Sequence, residues 1–361
     1  MKKSPKALVI DDSALVRRFL KKELERLGFE VDVAKDGEEG EKKALENQYD
    51  LITLDIEMPK KNGLDVLRSI MEKNPTRVLI VSTYAVENGD IAMNALQLGA
   101  LDYITKPDQR LATAGNEFIK EFEFKINELM KINKISLLTR KKRFSSIYTP
   151  VIEQATEFAP KDDKKYVLVG ASTGGPKLIE AIARSLPENY PYPVCVVQHM
   201  PPTFTGKFAE RLDSISKIKV LEAKNGEELT PAKMIIGKGG KHLHFRRDGN
   251  KVVCKLVPNT NNRFFVPSVD EMFFSALEVM NPKNIMAVLL TGIGDDGADG
   301  MVALKKAGAY TIAESEESAT VYGMPKEAYV RGGTVKVLPF DEILQEIIAF
   351  GSKNDIKKDG R

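Results

Sequence analysis

A chain of 361 residues has room for two or three domains of about 150 residues each, and a composition that is 42% hydrophobic and 29% charged can build sizeable cores and stay soluble. Its 54 basic and 51 acidic residues leave a net charge of only +3, locally mixed in sign, so nothing points to nucleic acid or an anionic membrane as partner. The two cysteines, Cys195 and Cys254, sit in apolar strand-like runs; they fit a reduced, cytosolic protein with buried thiols and argue against a disulfide framework or a zinc site. The opening run MKKSPKALVIDDS has an apolar stretch, Ala7–Ile10, too short for a signal peptide. No segment approaches the ~20 apolar residues of a membrane span.

Residues 1 to about 124 alternate strand-like and helix-like runs. ALVI (7–10) precedes a helical pattern from Ala14 to Leu27; Glu30–Ala34 reads as a strand and Gly37–Glu46 as a helix. LITL (51–54) and VLIVS (78–82) read as strands on either side of a helix over Gly63–Lys73. Ile91–Leu98 is helical, LDYIT (101–105) is a strand, and a helix follows from Leu111. Five βα units of this size predict a parallel sheet with helices on both faces.

Residues 125–164 lose this punctuation. Their first part extends the preceding helix, and the Lys-rich, Pro-containing remainder reads as a linker whose basic run, Arg140–Arg143, is a solvated stretch rather than a docking site. A second βα series begins at Tyr166 and fills 165–352, with strands at Val194–Gln198, Met234–Gly237 and Ile285–Thr291 and a closing helix at Ile343–Phe350; residues 353–361 form a polar tail. The fold expected is α/β throughout, two doubly wound parallel-sheet domains joined by a linker.

Chemistry gathers at the strand ends. Asp11 and Asp12 follow the first strand, Asp55 the third, Ser82 ends the fourth, and Lys106 follows the fifth. In a parallel sheet all of these reach one carboxyl edge, where ligands bind. Each acid alone could be a helix cap. Together, three mutually repelling carboxylates call for a hard divalent cation such as Mg²⁺, with a lysine to pair with what remains. Asp55 in that setting can attack a phosphoryl donor and become an aspartyl phosphate. With VIDDS, LDIEMP, VST and TKP in these places, residues 7–124 resemble a response-regulator receiver domain, which is flavodoxin-like. That resemblance implies Asp55 as phosphoacceptor and Asp12, Asp55 and the carbonyl of Glu57 as Mg²⁺ ligands. It also implies Asp11 as a supporting acid, Ser82 as the switch hydroxyl, Tyr103 as the aromatic switch and Lys106 as the phosphate partner.

In the second series, YVLVGASTGGPKLIEAIA runs from a short strand through a glycine-rich turn into a helix, which presents Ser172 where a nucleophile is held. A dinucleotide fingerprint is the rival reading, but its second glycine is Ser172 here. Of the three histidines, His199 ends the next strand, at the same sheet edge as Ser172, and is the better general base. His242 and His244 form a His-x-His pair without an evident third metal ligand. The loop after Ile285–Thr291 carries Asp295, Asp296 and Asp299 as candidate acids, and its glycine-freed N–H groups could stabilise an oxyanion. A set of Ser172, Asp213 and His244 would keep the α/β-hydrolase order, but Asp213 falls in a helical segment and His244 in mid-strand.

GASTGG, QHMPP, FAERL, PSVD, TGIGDDGADGM and GMPKEA stand in the order of the landmarks of the chemotaxis protein-glutamate methylesterase family, CheB, and residues 166–350 resemble its Rossmann-like catalytic domain. The resemblance implies Ser172 as nucleophile, His199 as base and Asp296 as the acid of the triad. The backbone N–H of Ile293 would serve in the oxyanion hole, and Thr173 would lie near the site. It implies no cofactor for the ester chemistry and Mg²⁺ for phosphorylation of the receiver. Implied, too, are methyl-accepting chemoreceptors as substrate, glutamine deamidation as a companion reaction, the CheA histidine kinase as phosphodonor, and a cytoplasmic monomer that contacts neither nucleic acid nor the membrane interior. Three departures fall around the expected cleft. Asp295 stands where Asn is usual, which adds a carboxylate beside the triad; Phe265-Val266 replaces His-Arg; and Lys238 replaces Pro. A binding module without catalysis and a DNA-binding regulator are the rival classes. The intact Ser, His and Asp argue against the first, and the absence of a helix-turn-helix pattern against the second.

Overall fold

A computed structural model of the chain describes residues 4–82, 89–106, 116–132 and 164–350. Pro107, the basic run Arg140–Arg143 with most of the expected linker, and the tail 353–361 lie outside the described residues. The chain divides into two compact units, Met1–Tyr148 and Thr149–Arg361.

The first unit alternates β1 (Lys6–Ile10), α1 (Ala14–Arg26), β2 (Glu30–Ala34), α2 (Gly37–Glu46), β3 (Leu51–Leu54), α3 (Gly63–Lys73), β4 (Arg77–Ser82), α4 (Gly89–Leu98), β5 (Asp102–Thr105) and α5 (Asn116–Lys131). The strands pair in parallel in the order β2-β1-β3-β4-β5. β3 and β4 are buried along their whole length, as continuous apolar strands covered on both faces must be. Helix starts are set by side-chain caps: Ser13 Oγ accepts from Val16 N, Asp36 Oδ1 from Glu39 N and Asn62 Oδ1 from Leu64 N. On α5, Phe118, Phe122, Ile126 and Leu129 are buried at helical spacing, the apolar stripe that docks it on the sheet. The order reverses between β1 and β3, so Asp11, Asp12 and Asp55 emerge on either side of the switch point, where such sheets bind ligands.

The second unit contains β6 (Tyr166–Ala171), α6 (Gly175–Ser185), β7 (Val194–Gln198), α7 (Pro202–Ile215), β8 (Lys219–Glu222), β9 (Lys233–Ile236), β10 (His242–Asp248), β11 (Lys251–Val257) and α8 (Val269–Val279). It closes with β12 (Ile285–Leu289), α9 (Ala298–Lys306), β13 (Tyr310–Glu314), α10 (Met324–Val330), β14 (Lys336–Leu338) and α11 (Phe340–Phe350). Seven parallel strands run in the order β14-β13-β12-β6-β7-β9-β8. The reversal lies between β6 and β12, which places the Ser172 turn and the loop 290–297 side by side at the carboxyl edge, with the end of β7 next to them.

One element departs from the expected βα series. β10 and β11 form an antiparallel hairpin outside the main sheet, with Asp248 opposite Lys251 across Gly249 and Asn250. Gly249 takes φ 58°, as a tight two-residue turn requires. The hairpin packs against α8, where Ser275 Oγ accepts from Phe245 N at 2.8 Å.

Candidate active site and phosphoacceptor site

Ser172 follows β6 directly, and its backbone is fixed from both sides. Its N–H donates to Thr291 O at 2.9 Å, and its carbonyl accepts from Gly175 N at 2.8 Å and from Gln198 Nε2 at 2.9 Å. Gly174 turns the chain at φ 84°, a conformation that favours glycine, and α6 starts immediately behind the serine with its N-terminal partial positive charge. The next strand brings in His199: Ala171 pairs with Gln198, and the His199 N–H donates to Ala171 O at 3.1 Å.

His199 Nε2 lies 2.8 Å from Asp296 Oδ2. Asp296 is held at the N-terminus of α8, where its carboxylate accepts from Ser268 Oγ (2.7 Å), Val269 N (2.6 Å) and Asp270 N (3.1 Å). Burial works to raise its pKa, but the hydrogen bonds and the charge of His199, with those from Ser268 and Val269, outweigh burial and hold it below the ordinary carboxylate value. An ionised carboxylate only accepts, so the proton of this pair sits on Nε2. Nδ1 is buried and has no hydrogen-bond partner among the described residues; in the neutral imidazole it carries the lone pair that can serve as a base.

The loop after β12 is tied to the serine turn through Thr291. Its N–H donates to the fully buried Glu314, its Oγ1 donates to Thr173 O, and Val321 N donates back to that Oγ1. The Gly292 N–H is taken by Val321 O at 3.1 Å. It is therefore no oxyanion donor, which narrows the set of loop amides expected from sequence and leaves the Ile293 amide among the candidates. A side chain at position 292 would collide with Met324 and with Ser172 Cβ, so glycine is required there for close approach.

The exposed Asp295 carboxylate pairs with Arg331 at 2.5 Å, a guanidinium shared with Asp299 at 2.8 Å. The alternative set is not brought together, since Asp213 pairs with Lys219 (2.6 Å) and His244 with Glu271 (3.0 Å). His242 accepts from Ser268 N through Nδ1 and meets Asn259 Oδ1 through Nε2, so it is a satisfied buried histidine. Lys238 pairs with Glu222 at 2.9 Å. Phe265, by contrast, stacks on His199 at 3.9 Å between ring centroids and 10° between planes.

Ser268, Thr291 and Glu314 were not singled out by sequence as site residues. Ser268 had a legible signal as the start of a capping box, Ser-Val-Asp-Glu, and its Oγ does accept from Glu271 N. That the same hydroxyl donates to Asp296 depends on a loop 28 residues away. Beside it, Asp270 is pushed up to about 7 by burial and by the nearby Asp296 charge. A carboxyl raised in the folded state costs stability as it ionises, so stability should fall as pH rises from the ordinary carboxylate range through about 7. Asp270→Asn, which keeps an oxygen for the Gly300 N–H, should flatten that slope in denaturation midpoints measured between about pH 5 and pH 8. An unchanged slope would assign it to other groups.

In the first unit, Asp11, Asp12 and Asp55 each place a carboxylate oxygen within 4.8 Å of the others. Lys106, also buried, donates to Asp55 Oδ2 at 2.5 Å and lies 2.7 Å from Asp11 Oδ2. Burial raises Asp11 to about 6 despite the Lys106 charge. Burial also opposes the Lys106 ammonium, but Asp55 and Asp11 outweigh it and hold the lysine above its ordinary value. One lysine among three carboxylates leaves negative charge uncompensated, and the all-oxygen donor set suits a hard divalent cation. Ser82 is fully buried, and its Oγ has no partner among the described residues. Tyr103 is buried, with Lys125 Nζ on its carbonyl at 2.7 Å and 5.3 Å from its ring centroid. Glu57 is exposed on the loop that follows Asp55.

Family models match in two places: the response regulator receiver domain over residues 7–114 and the CheB methylesterase over 167–347. A protein-glutamate methylesterase/protein-glutamine glutaminase of Carboxydothermus hydrogenoformans is 40% identical, over 95% of this chain and 98% of its own length. One from Archaeoglobus fulgidus is 40% identical over 96% and 97%. The crystal structure of the Thermotoga maritima CheB methylesterase catalytic domain matches with 40% identity and a TM-score of 0.50, covering 52% of this chain and 98% of that one. With a receiver domain ahead of a methylesterase domain and relatives of this identity along nearly its whole length, the chain belongs to the protein-glutamate methylesterase/protein-glutamine glutaminase family, CheB, and is an enzyme of that family.

Proposed function

We propose that this enzyme hydrolyses glutamate γ-methyl esters on chemoreceptor cytoplasmic helices, with Ser172, His199 and Asp296 as its catalytic triad. The observation that carries this reading is the His199–Asp296 pair at 2.8 Å, which leaves Nδ1 unpartnered at the sheet edge where Ser172 emerges. Ser172 Oγ attacks the ester carbonyl carbon while Nδ1 takes its proton. The tetrahedral oxyanion lies against the Ile293 amide and the N-terminus of α6. Nδ1–H then protonates the methoxy oxygen, methanol leaves, and the acyl-Ser172 ester remains. Water, deprotonated by the same nitrogen, attacks that ester and releases the glutamate carboxylate. Asp296 fixes the tautomer and favours the imidazolium at each proton transfer. A glutamine side chain enters by the same steps, with ammonia as leaving group.

Asp55 is the phosphoacceptor, and a histidine kinase of the CheA type is the donor. Asp12, Asp55 and the Glu57 carbonyl, supported by Asp11, would hold Mg²⁺, which when bound neutralises charge on the transferring phosphoryl group. Lys106 pairs with the phosphoryl oxygens, and Ser82 and Tyr103 respond to them as switch residues. The buried, unpartnered Ser82 Oγ supports that role. No helix among the described residues is long and apolar enough to cross a membrane, and a cytoplasmic location is part of this reading. The test is methanol release from methylated receptor membranes by the full chain. A small-molecule phosphodonor with Mg²⁺ should raise the rate by about 5- to 150-fold, the usual size of coupling between sites, and Asp55→Asn should remove that gain. Equal rates with and without phosphodonor would refute regulation through Asp55.

A further inference from the structure

Phe265 holds a place that the proposed triad chemistry does not use. It lies on the connection between β11 and α8, partly exposed, with its ring parallel to the His199 imidazole at 3.9 Å. Phe264 meets it edge-on at 4.9 Å and is itself 53% exposed. His199 must hand its proton to the leaving atom, so that atom comes within hydrogen-bond reach of Nδ1. A ring stacked on the imidazole therefore borders the space that the leaving group occupies, and what it offers there is carbon and hydrogen.

The two leaving groups of this family differ in what they require of such a wall. A methoxy group has one oxygen for the His199 proton and a methyl that gains from apolar contact. An amide nitrogen keeps two further hydrogens, and a hydrogen pressed against a hydrocarbon ring loses its water partner without replacement. We propose that Phe265 is a specificity-determining residue that favours the methyl ester over the primary amide by giving the leaving group an apolar wall. This inference rests on the triad reading above and deepens it.

The experiment uses the full chain with phosphodonor and Mg²⁺, and two helical synthetic peptides that differ at one position, glutamate γ-methyl ester or glutamine. Methanol and ammonia release give kcat/KM for each. Because the measure is the amide-to-ester ratio of a variant relative to wild type, intrinsic ester reactivity cancels. Phe265→His, which keeps a flat ring but offers polar atoms, should raise that ratio by about tenfold, the size expected when one amide hydrogen regains a partner. Phe265→Leu keeps an apolar wall without the ring stack; whatever it does to the two rates, their ratio should stay within about twofold of wild type. A purely structural role would lower both rates together in both variants. An unchanged ratio in Phe265→His, or an equal rise in Phe265→Leu, overturns the inference while leaving the triad reading intact. A wild-type enzyme that releases no methanol from the ester peptide overturns both.

Discussion

Ser172→Ala should abolish methanol release from methylated receptors, with a loss of up to ~10⁶-fold in kcat, because the members of a triad act as a unit. The substitution removes one oxygen and disturbs little else. The contacts that fix residue 172 are made by its backbone: the N–H to Thr291, and the carbonyl to Gly175 and Gln198. Those bonds survive in alanine, so the variant should melt within a few degrees of wild type, as a change that keeps packing and backbone bonds does. Steady-state methanol assays paired with thermal denaturation check both halves. A folded variant that still turns over near the wild-type rate would remove Ser172 from the mechanism.

Asp296→Asn should cost about 10⁴-fold in kcat, the penalty when the acid of a Ser-His-Asp triad is made neutral and the wrong histidine tautomer is allowed. The neighbouring acid serves as control. Asp295 faces Arg331 and is 62% exposed on its side chain, whereas Asp296 accepts from Ser268, Val269, Asp270 and His199. An exposed ion pair contributes at most about 1 kcal/mol, so Asp295→Asn should leave kcat within a few-fold of wild type. The side-chain amide introduced by Asp296→Asn would also turn a donor toward one of the helix N–H groups, so stability is measured alongside kcat. A severe loss in Asp295→Asn with Asp296→Asn near wild type would reverse the assignment.

The parallel sheets were legible because their punctuation is local. Apolar runs of four to six residues, each followed by a helix pattern, fix the strand ends, and strand ends are where Asp11, Asp55, Ser172 and His199 stand. The hairpin of β10 and β11 was less visible, although Asp248-Gly249-Asn250 between alternating runs is a turn signal. Alternating spacing marks KHLHF as a strand, but not that its partner is the next run rather than the main sheet. Choosing between Asp295 and Asp296 needed the resemblance, since neighbouring residues in a loop have the same sequence context. The structure separates them through the N-terminus of α8, which cradles only Asp296. Thr291 and Glu314 were out of reach for another reason. A buried threonine at a strand end and a glutamate ending the next strand look like ordinary sheet residues until β12 and β13 pair and bring the carboxylate to the Thr291 N–H. Phe265 stood out as a departure from the family pattern, but its stacking on His199 is a tertiary contact across 66 residues that no spacing rule predicts.

The most direct test of the account is covalent labelling with a fluorophosphonate, which reacts with a serine only where a base and an oxyanion hole activate it. One adduct per chain is expected, mapped by peptide mass spectrometry to Ser172, absent in Ser172→Ala and formed far more slowly in Asp296→Asn. An adduct on a different serine, or an enzyme that releases methanol yet never labels at Ser172, would contradict it.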